Sequence, residues 1–141
     1  CDVVTFGDLY REGSAPAMRR AVELYAGELL EGQDADWVRP ARVRYASMYA
    51  SMVERLATDA LADGAFETAL QFALELLEVD RAHEGATRLV LRCFDALGRR
   101  GRAMDEYESL RAYLHKHLGA EPMPETTALI ESIMRHGRVA P

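Results

Sequence analysis

The sequence predicts an all-α chain of about seven helices, folded back on one another as hairpins. Three observations predict it. Stretches of roughly 12 to 25 residues rich in Ala, Leu, Glu, Arg and Met, the strong helix formers, fill the space between glycine and proline punctuation. Alternating runs of β-branched residues, the mark of half-buried strands, are nearly absent. The chain also matches itself at an offset of about 34 residues, pairing Ala62 with Ala96, Gly64 with Gly98, Ala69 with Ala103, Leu70 with Met104 and Leu76 with Leu110.

Each element follows from local signals. A first short helix covers about residues 2–12, with Asp2 as its N-cap and Phe6, Leu9 and Tyr10 inward. Ser14 and Pro16 start a second, whose Ala17, Met18, Ala21, Val22, Tyr25, Leu29 and Leu30 recur at intervals of three and four. Residues 32–36 form the loop after it. The third and longest helix begins at Trp37 or Pro40 and reaches Asp63, with Tyr45, Met48, Tyr49, Met52, Val53, Leu56, Ala60 and Leu61 on one stripe; Gly64 ends it. The fourth covers residues 66–79 and stops at Asp80. The fifth covers about residues 82–97 and is closed by Gly98, and the sixth covers about residues 102–118 and is capped by Gly119, where a left-handed backbone suits glycine. Pro122 and Pro124 keep the next stretch extended, and a last helix runs from Pro124 to about Arg135 with Leu129, Ile130, Ile133 and Met134 on a narrow stripe.

The offset of 34 is the tetratricopeptide period. Glycine at a turn, an aromatic two residues on (Phe66) and then a small residue (Ala69) resembles the second half of such a repeat. Two helices approach to about 8–10 Å only where one side is small, so alanine belongs at the crossing and Leu, Phe and Tyr at its flanks. Each hairpin leaves an apolar face for its neighbour, which predicts a right-handed α-α superhelix with a concave side and with the last helix as a cap. A third copy is weaker, since Ala21, Val22 and Tyr25 echo Ala103, Met104 and Tyr107 but residues 32–37 break the period. The alternative is an irregular helical bundle, which is equally all-α.

The chain has 141 residues, 49% of them apolar, which suits one folded domain. Its 17 Lys and Arg against 23 Asp and Glu give a net charge of −6, so its field repels polyanions and disfavours both free-standing nucleic-acid binding and an anionic membrane surface. Neither a membrane-spanning apolar run nor a signal peptide is visible. Two cysteines, Cys1 and Cys93, make no disulfide framework, which points to the cytoplasm. Cys1 stands where an initiator Met is usual, so the chain reads as a fragment of something longer. The motifs of nucleophilic, phosphate-binding and zinc chemistry are missing from the sequence. His115 and His117, two apart on a helix, do not chelate as an i,i+4 pair does. No catalytic, metal or cofactor site is expected.

With the repeat in this register, the first helix of each pair lines the concave side. That places Ser51, Glu54 and Thr58 from one pair, and Arg88, Arg92 and Asp95 from the next, on a candidate partner groove. Two arginines four apart on a helix present forked donors to a carboxylate or phosphate. The alternative is a solvated face with the arginines paired to nearby acids. Trp37, alone between two helices, is either a core plug or an anchor for a partner. Arg99, Arg100 and Arg102 around Gly101 form the densest basic cluster, too small for a nucleic-acid patch and readable as an exposed turn. The methionines read as core filler, or as adaptable binding surface.

Several motifs carry a family resemblance: Ala-Val-x-x-Tyr-x-Gly-x-Leu-Leu over residues 21–30, Trp37 followed by Arg39, Arg42 and Arg44, Leu-Leu-Glu-Val-Asp-x-x-x-Glu over residues 76–84, Tyr107-x-x-Leu110-Arg111, and Leu-Gly-Ala-Glu-Pro-Met-Pro-Glu over residues 118–125. In this order the chain resembles, over nearly its whole length, the bacterial transcriptional activation domain of streptomycete antibiotic regulatory proteins and related regulators. Arg81 departs from the repeat pattern, standing where proline is common. The resemblance implies a tetratricopeptide-like domain that usually follows a winged-helix DNA-binding domain and helps control transcription. It implies no enzyme and no cofactor. The partner expected is a protein or a neighbouring domain of the same regulator, with DNA reached only through a domain absent from this chain and homo-oligomers left open. Two rivals remain: a stand-alone tetratricopeptide adaptor for a peptide, and an effector-sensing domain for a small anionic ligand.

Overall fold

The computed structural model describes residue 11, residues 15–24 and residues 39–139. Among them are six helices and no strand: α1 (Ala15–Leu24), α2 (Arg39–Ala62), α3 (Phe66–Val79), α4 (Glu84–Ala96), α5 (Arg100–Leu118) and α6 (Pro124–Val139). The expected all-α class is the observed one. The helix expected over residues 2–12, apart from residue 11, lies outside the described residues, as does Trp37 with its loop.

The chain divides into two compact units, Cys1–Leu56 and Ala57–Pro141, and the division falls inside α2. In the first, α1 buries Ala17 and Met18, and α2 buries Tyr49, Met52, Val53 and Leu56 at helical spacing.

In the second unit the repeat is visible in the backbone. At the end of α2 the N–H of Gly64 donates to the carbonyl of Leu61 (3.1 Å) and that of Ala65 to Ala60 (2.8 Å). At the end of α4 the N–H of Gly98 donates to Asp95 (3.0 Å) and that of Arg99 to Phe94 (2.7 Å). Both are Schellman motifs, in which two otherwise orphaned carbonyls are satisfied by residues past the helix end. The motif needs a left-handed residue, and Gly64 (φ 81°) and Gly98 (φ 75°) supply it without the steric penalty of a Cβ. The bonds from Asp63 to Asp59 and from Leu97 to Cys93 also correspond across the offset. The two corners are equivalent, as the repeat requires.

The helix ends differ from expectation by a few residues, for local reasons. The start of α4 is Glu84, because Asp80 Oδ1 accepts from the N–H of Ala82 and holds residues 80–82 in a turn. His83 then caps the helix, its Nδ1 accepting from the N–H of Ala86 at 3.0 Å. Helix α5 starts at Arg100, two residues early, since Arg99 completes the preceding corner and no linker is needed. Helix α6 continues through Gly137 to Val139; one glycine costs about 1 kcal/mol in a helix, too little to end it.

Helix α4 is the hub of this unit, packing against α3, α5 and α6, while α6 also packs against α5. It buries Ala86, Thr87, Leu89, Val90, Leu91, Cys93 and Phe94. Facing elements contribute Ala69, Ala73 and Leu76 from α3, Ala103, Leu110 and Leu114 from α5, and Ile130 and Ile133 from α6. Fully buried alanines at Ala69 and Ala103, one offset apart, are the small residues that let the helices close. Arg81, in the turn where proline was expected, instead ties that turn to α5: its Nη2 lies 3.1 Å from Glu106 Oε1 and 2.6 Å from Ser109 Oγ.

Thr87 interrupts this apolar packing. It is fully buried, and its hydroxyl has no hydrogen-bond partner among the described residues. Its counterpart one repeat earlier is the equally buried Val53. Exchanging the hydroxyl for a methyl removes an unsatisfied polar group at almost constant volume, so Thr87→Val is expected to raise unfolding stability by about 1 kcal/mol, read as a higher denaturation midpoint at unchanged m-value.

Candidate functional site

The candidate groove residues fall on two helices. Ser51 and Glu54 lie on α2 in the first unit, Ser51 exposed and Glu54 half-buried, while Thr58 is exposed on the part of α2 that belongs to the second unit. Arg88, Arg92 and Asp95 all lie on α4. Asp95 is engaged by Arg100 at 3.3 Å. Arg88 and Arg92, four residues apart, occupy one face of α4, with Glu84 a further turn back.

That face is tied to the first turn of α6. Glu84 Oε1 accepts from the N–H of Met123 (2.8 Å) and from the hydroxyl of Thr126 (2.8 Å). Arg88 Nη1 donates to Thr126 Oγ1 (3.0 Å) and lies 4.0 Å from Met123 Sδ. Thr126 is fully buried, and a hydroxyl, which both donates and accepts, can join a carboxylate to a guanidinium. Next to it Tyr107 of α5 and Thr127 share a hydrogen bond of 2.8 Å. Sequence reading missed this seam. Adjacent threonines after a proline signal a helix start, but nothing local tells that Thr126 meets side chains about 40 positions earlier.

Arg88 is thus half-buried and oriented by neutral partners, and Arg92 is exposed. Among the described residues of the second unit, Arg81, Arg99, Arg100 and Arg111 each have a carboxylate within 4 Å, whereas Arg88 and Arg92 have none. The basic cluster at the α4–α5 corner is largely neutralised: Arg99 pairs with Glu67 (3.1 Å) and Arg100 with Asp95. These are exposed or half-exposed pairs, each worth well under 1 kcal/mol. Helix α3 carries the opposite character. Partial burial, and then Glu78, raises the carboxyl pKa of Glu75 above its ordinary value, so that face disfavours further anions.

Elsewhere, α5 and α6 enclose a groove of about 300 Å³ lined by Met104, Ile130 and Met134, with Glu131 and Arg135 also on its wall. The methionines therefore split: Met18 and Met52 are core, Met104 and Met134 line the groove, and Met123 is 43% exposed. His115 bonds Glu121 while His117 stacks on Tyr113 at 4.5 Å, so the two rings serve different neighbours.

Cys93 is fully buried on α4, and burial, then the charge of Glu67, pushes its thiol up to about 11. The thiolate is the reactive form, so in a Cys1→Ser background an aromatic disulfide reagent at pH 8 should label Cys93 at least about a hundredfold more slowly in the folded than in the unfolded chain. The unfolded chain releases this proton near pH 9 and the folded chain keeps it to about 11, so stability falls as pH rises between those values. A Cys93→Ala variant should lose that part of the slope.

No helix among the described residues is long and apolar enough to cross a membrane. No curated protein matches the chain. A family model, the bacterial transcriptional activator domain, matches residues 5–134. With that match spanning most of the sequence, and with the paired corners and interleaved helices it overlies, the chain belongs to the bacterial transcriptional activator domain family, a family of transcription regulators and not of enzymes.

Proposed function

We propose that this domain acts in the cytoplasm within a bacterial transcription regulator by docking a protein partner, or a neighbouring domain of the same regulator, on the open face of its helical hairpins. Family membership supports the regulatory setting. The single observation that carries docking is the α4 face, where Arg88 and Arg92 present cationic groups with no carboxylate within 4 Å among the described residues. Thr58 and Asp95 belong to the same unit as these arginines, while Ser51, Glu54 and Trp37 belong to the other and are proposed separately as partner contacts. Apolar contacts would give affinity and charges register.

The reading is tested by tethering. Residues 1–141 fused to a heterologous DNA-binding domain, placed upstream of a reporter, should change transcription at least severalfold relative to that DNA-binding domain alone. A fusion that is stable, present in the cell and without effect would overturn docking of a separate protein partner as the mode of action.

A further inference from the structure

We infer that the face formed by Arg88 and Arg92 recognises a short acidic protein segment, one carrying two carboxylates about one helical turn apart beside an apolar residue. This rests on the docking reading and names its partner.

The chemistry follows from three features. First, the two guanidiniums stand one turn apart on α4, and each offers planar, paired donors that fit a carboxylate. Second, Arg88 is set in advance. Its Nη1 is held by the buried Thr126 hydroxyl at 3.0 Å, and the same hydroxyl donates to Glu84, so that carboxylate meets neutral donors and not the arginine directly. A half-buried guanidinium oriented by neutral groups retains its charge for an incoming anion and loses little rotamer freedom on binding. Third, Met123 lies against Arg88 and is 43% exposed, which places a soft apolar surface beside the charges.

The overall charge selects among anions. A net charge of −6 repels a polyanion over its whole length, so a nucleic acid gains from two arginines and loses to the rest of the surface. A short segment with two carboxylates meets the local cations at far less of that cost. The acidic face of α3, with Glu75 and Glu78, offers such a segment nothing. Arg102, exposed and also without a carboxylate partner among the described residues, stands at the start of α5 apart from the α4 face and serves as the control.

The test uses the full 141-residue chain and a fluorescent, N-acetylated octapeptide carrying two glutamates four apart with leucines between them, read by anisotropy at low ionic strength. Binding is expected, with at least about tenfold loss for Arg92→Gln and for Arg88→Gln, and weakening by salt. Arg102→Gln should change affinity by less than about twofold. Thr126→Ser, which keeps the hydroxyl, should bind as the parent does, whereas Thr126→Val should bind more weakly even where circular dichroism shows it folded. Any one of four results overturns the inference: no binding by the parent chain, equal binding of the peptide with glutamine in place of glutamate, an unchanged affinity in Arg92→Gln, or saturation of the arginines by inorganic phosphate or ATP with no peptide binding. Since the tethered reporter assay reads a docked partner of any chemistry, its success alongside such a result leaves docking intact and removes only the acidic partner.

Discussion

Replacing Leu91 by Ala should destabilise the second unit by about 3 kcal/mol, within the range of 2–5 kcal/mol seen for buried leucines. Leu91 is fully buried near the middle of α4, the helix that α3, α5 and α6 all pack against. Truncation removes its transfer free energy and leaves a cavity between elements that cannot all move in at once. Denaturant unfolding followed by circular dichroism checks this. A loss below about 1 kcal/mol would mean that the helices around α4 repack freely, contrary to a hub held from three sides. Leu74→Ala on α3, where the side chain is 39% exposed, should cost far less.

The second large effect is expected in the opposite direction of volume. Ala103→Leu places three extra carbons where a fully buried alanine on α5 sits within the packed helices. Overpacking a closed crossing forces off-rotamer side chains or a shift of the helix, at about 1–3 kcal/mol. Because Ala69 occupies the corresponding place one repeat earlier and is also fully buried, Ala69→Leu should show a comparable loss. If one variant is tolerated and the other is not, the two positions are not equivalent in packing, even though their corners share hydrogen bonds.

The parts of the fold that depend on local chemistry were legible in the sequence. The span of α3 and the endings at Gly64, Gly98 and Gly119 were readable because a glycine in the left-handed region leaves an unambiguous trace. Boundaries slipped where a side chain, not a backbone preference, decided them. Asp80 and His83 delayed α4: aspartate can either form a turn or cap a helix at once, and histidine is not one of the favoured caps, so their division of the two roles was not readable locally. Arg81, where proline is common in the repeat, holds its turn through a long side chain that reaches Glu106 and Ser109, a tie set by tertiary packing.

The candidate site was legible as a pattern and not as an environment. Helical spacing puts Arg88 and Arg92 on one face, but whether acids quench them depends on what α6 brings alongside. It brings a threonine hydroxyl. Asp95, which the same spacing offered as a groove residue, is turned instead to Arg100. Long-range partners of this kind follow from tertiary packing, and the only local hint was that Glu84, Arg88 and Thr126 each sit on the first two turns of their helices.

The equivalence of the corners at Gly64 and Gly98 separates frame from surface. Backbone bonds there coincide, while the side chains around them have diverged, Phe66 against Arg100, Val53 against Thr87 and Ala73 against Tyr107. Because backbone bonds alone fix each turn, the two copies can carry unlike side chains elsewhere without any change to the shared frame.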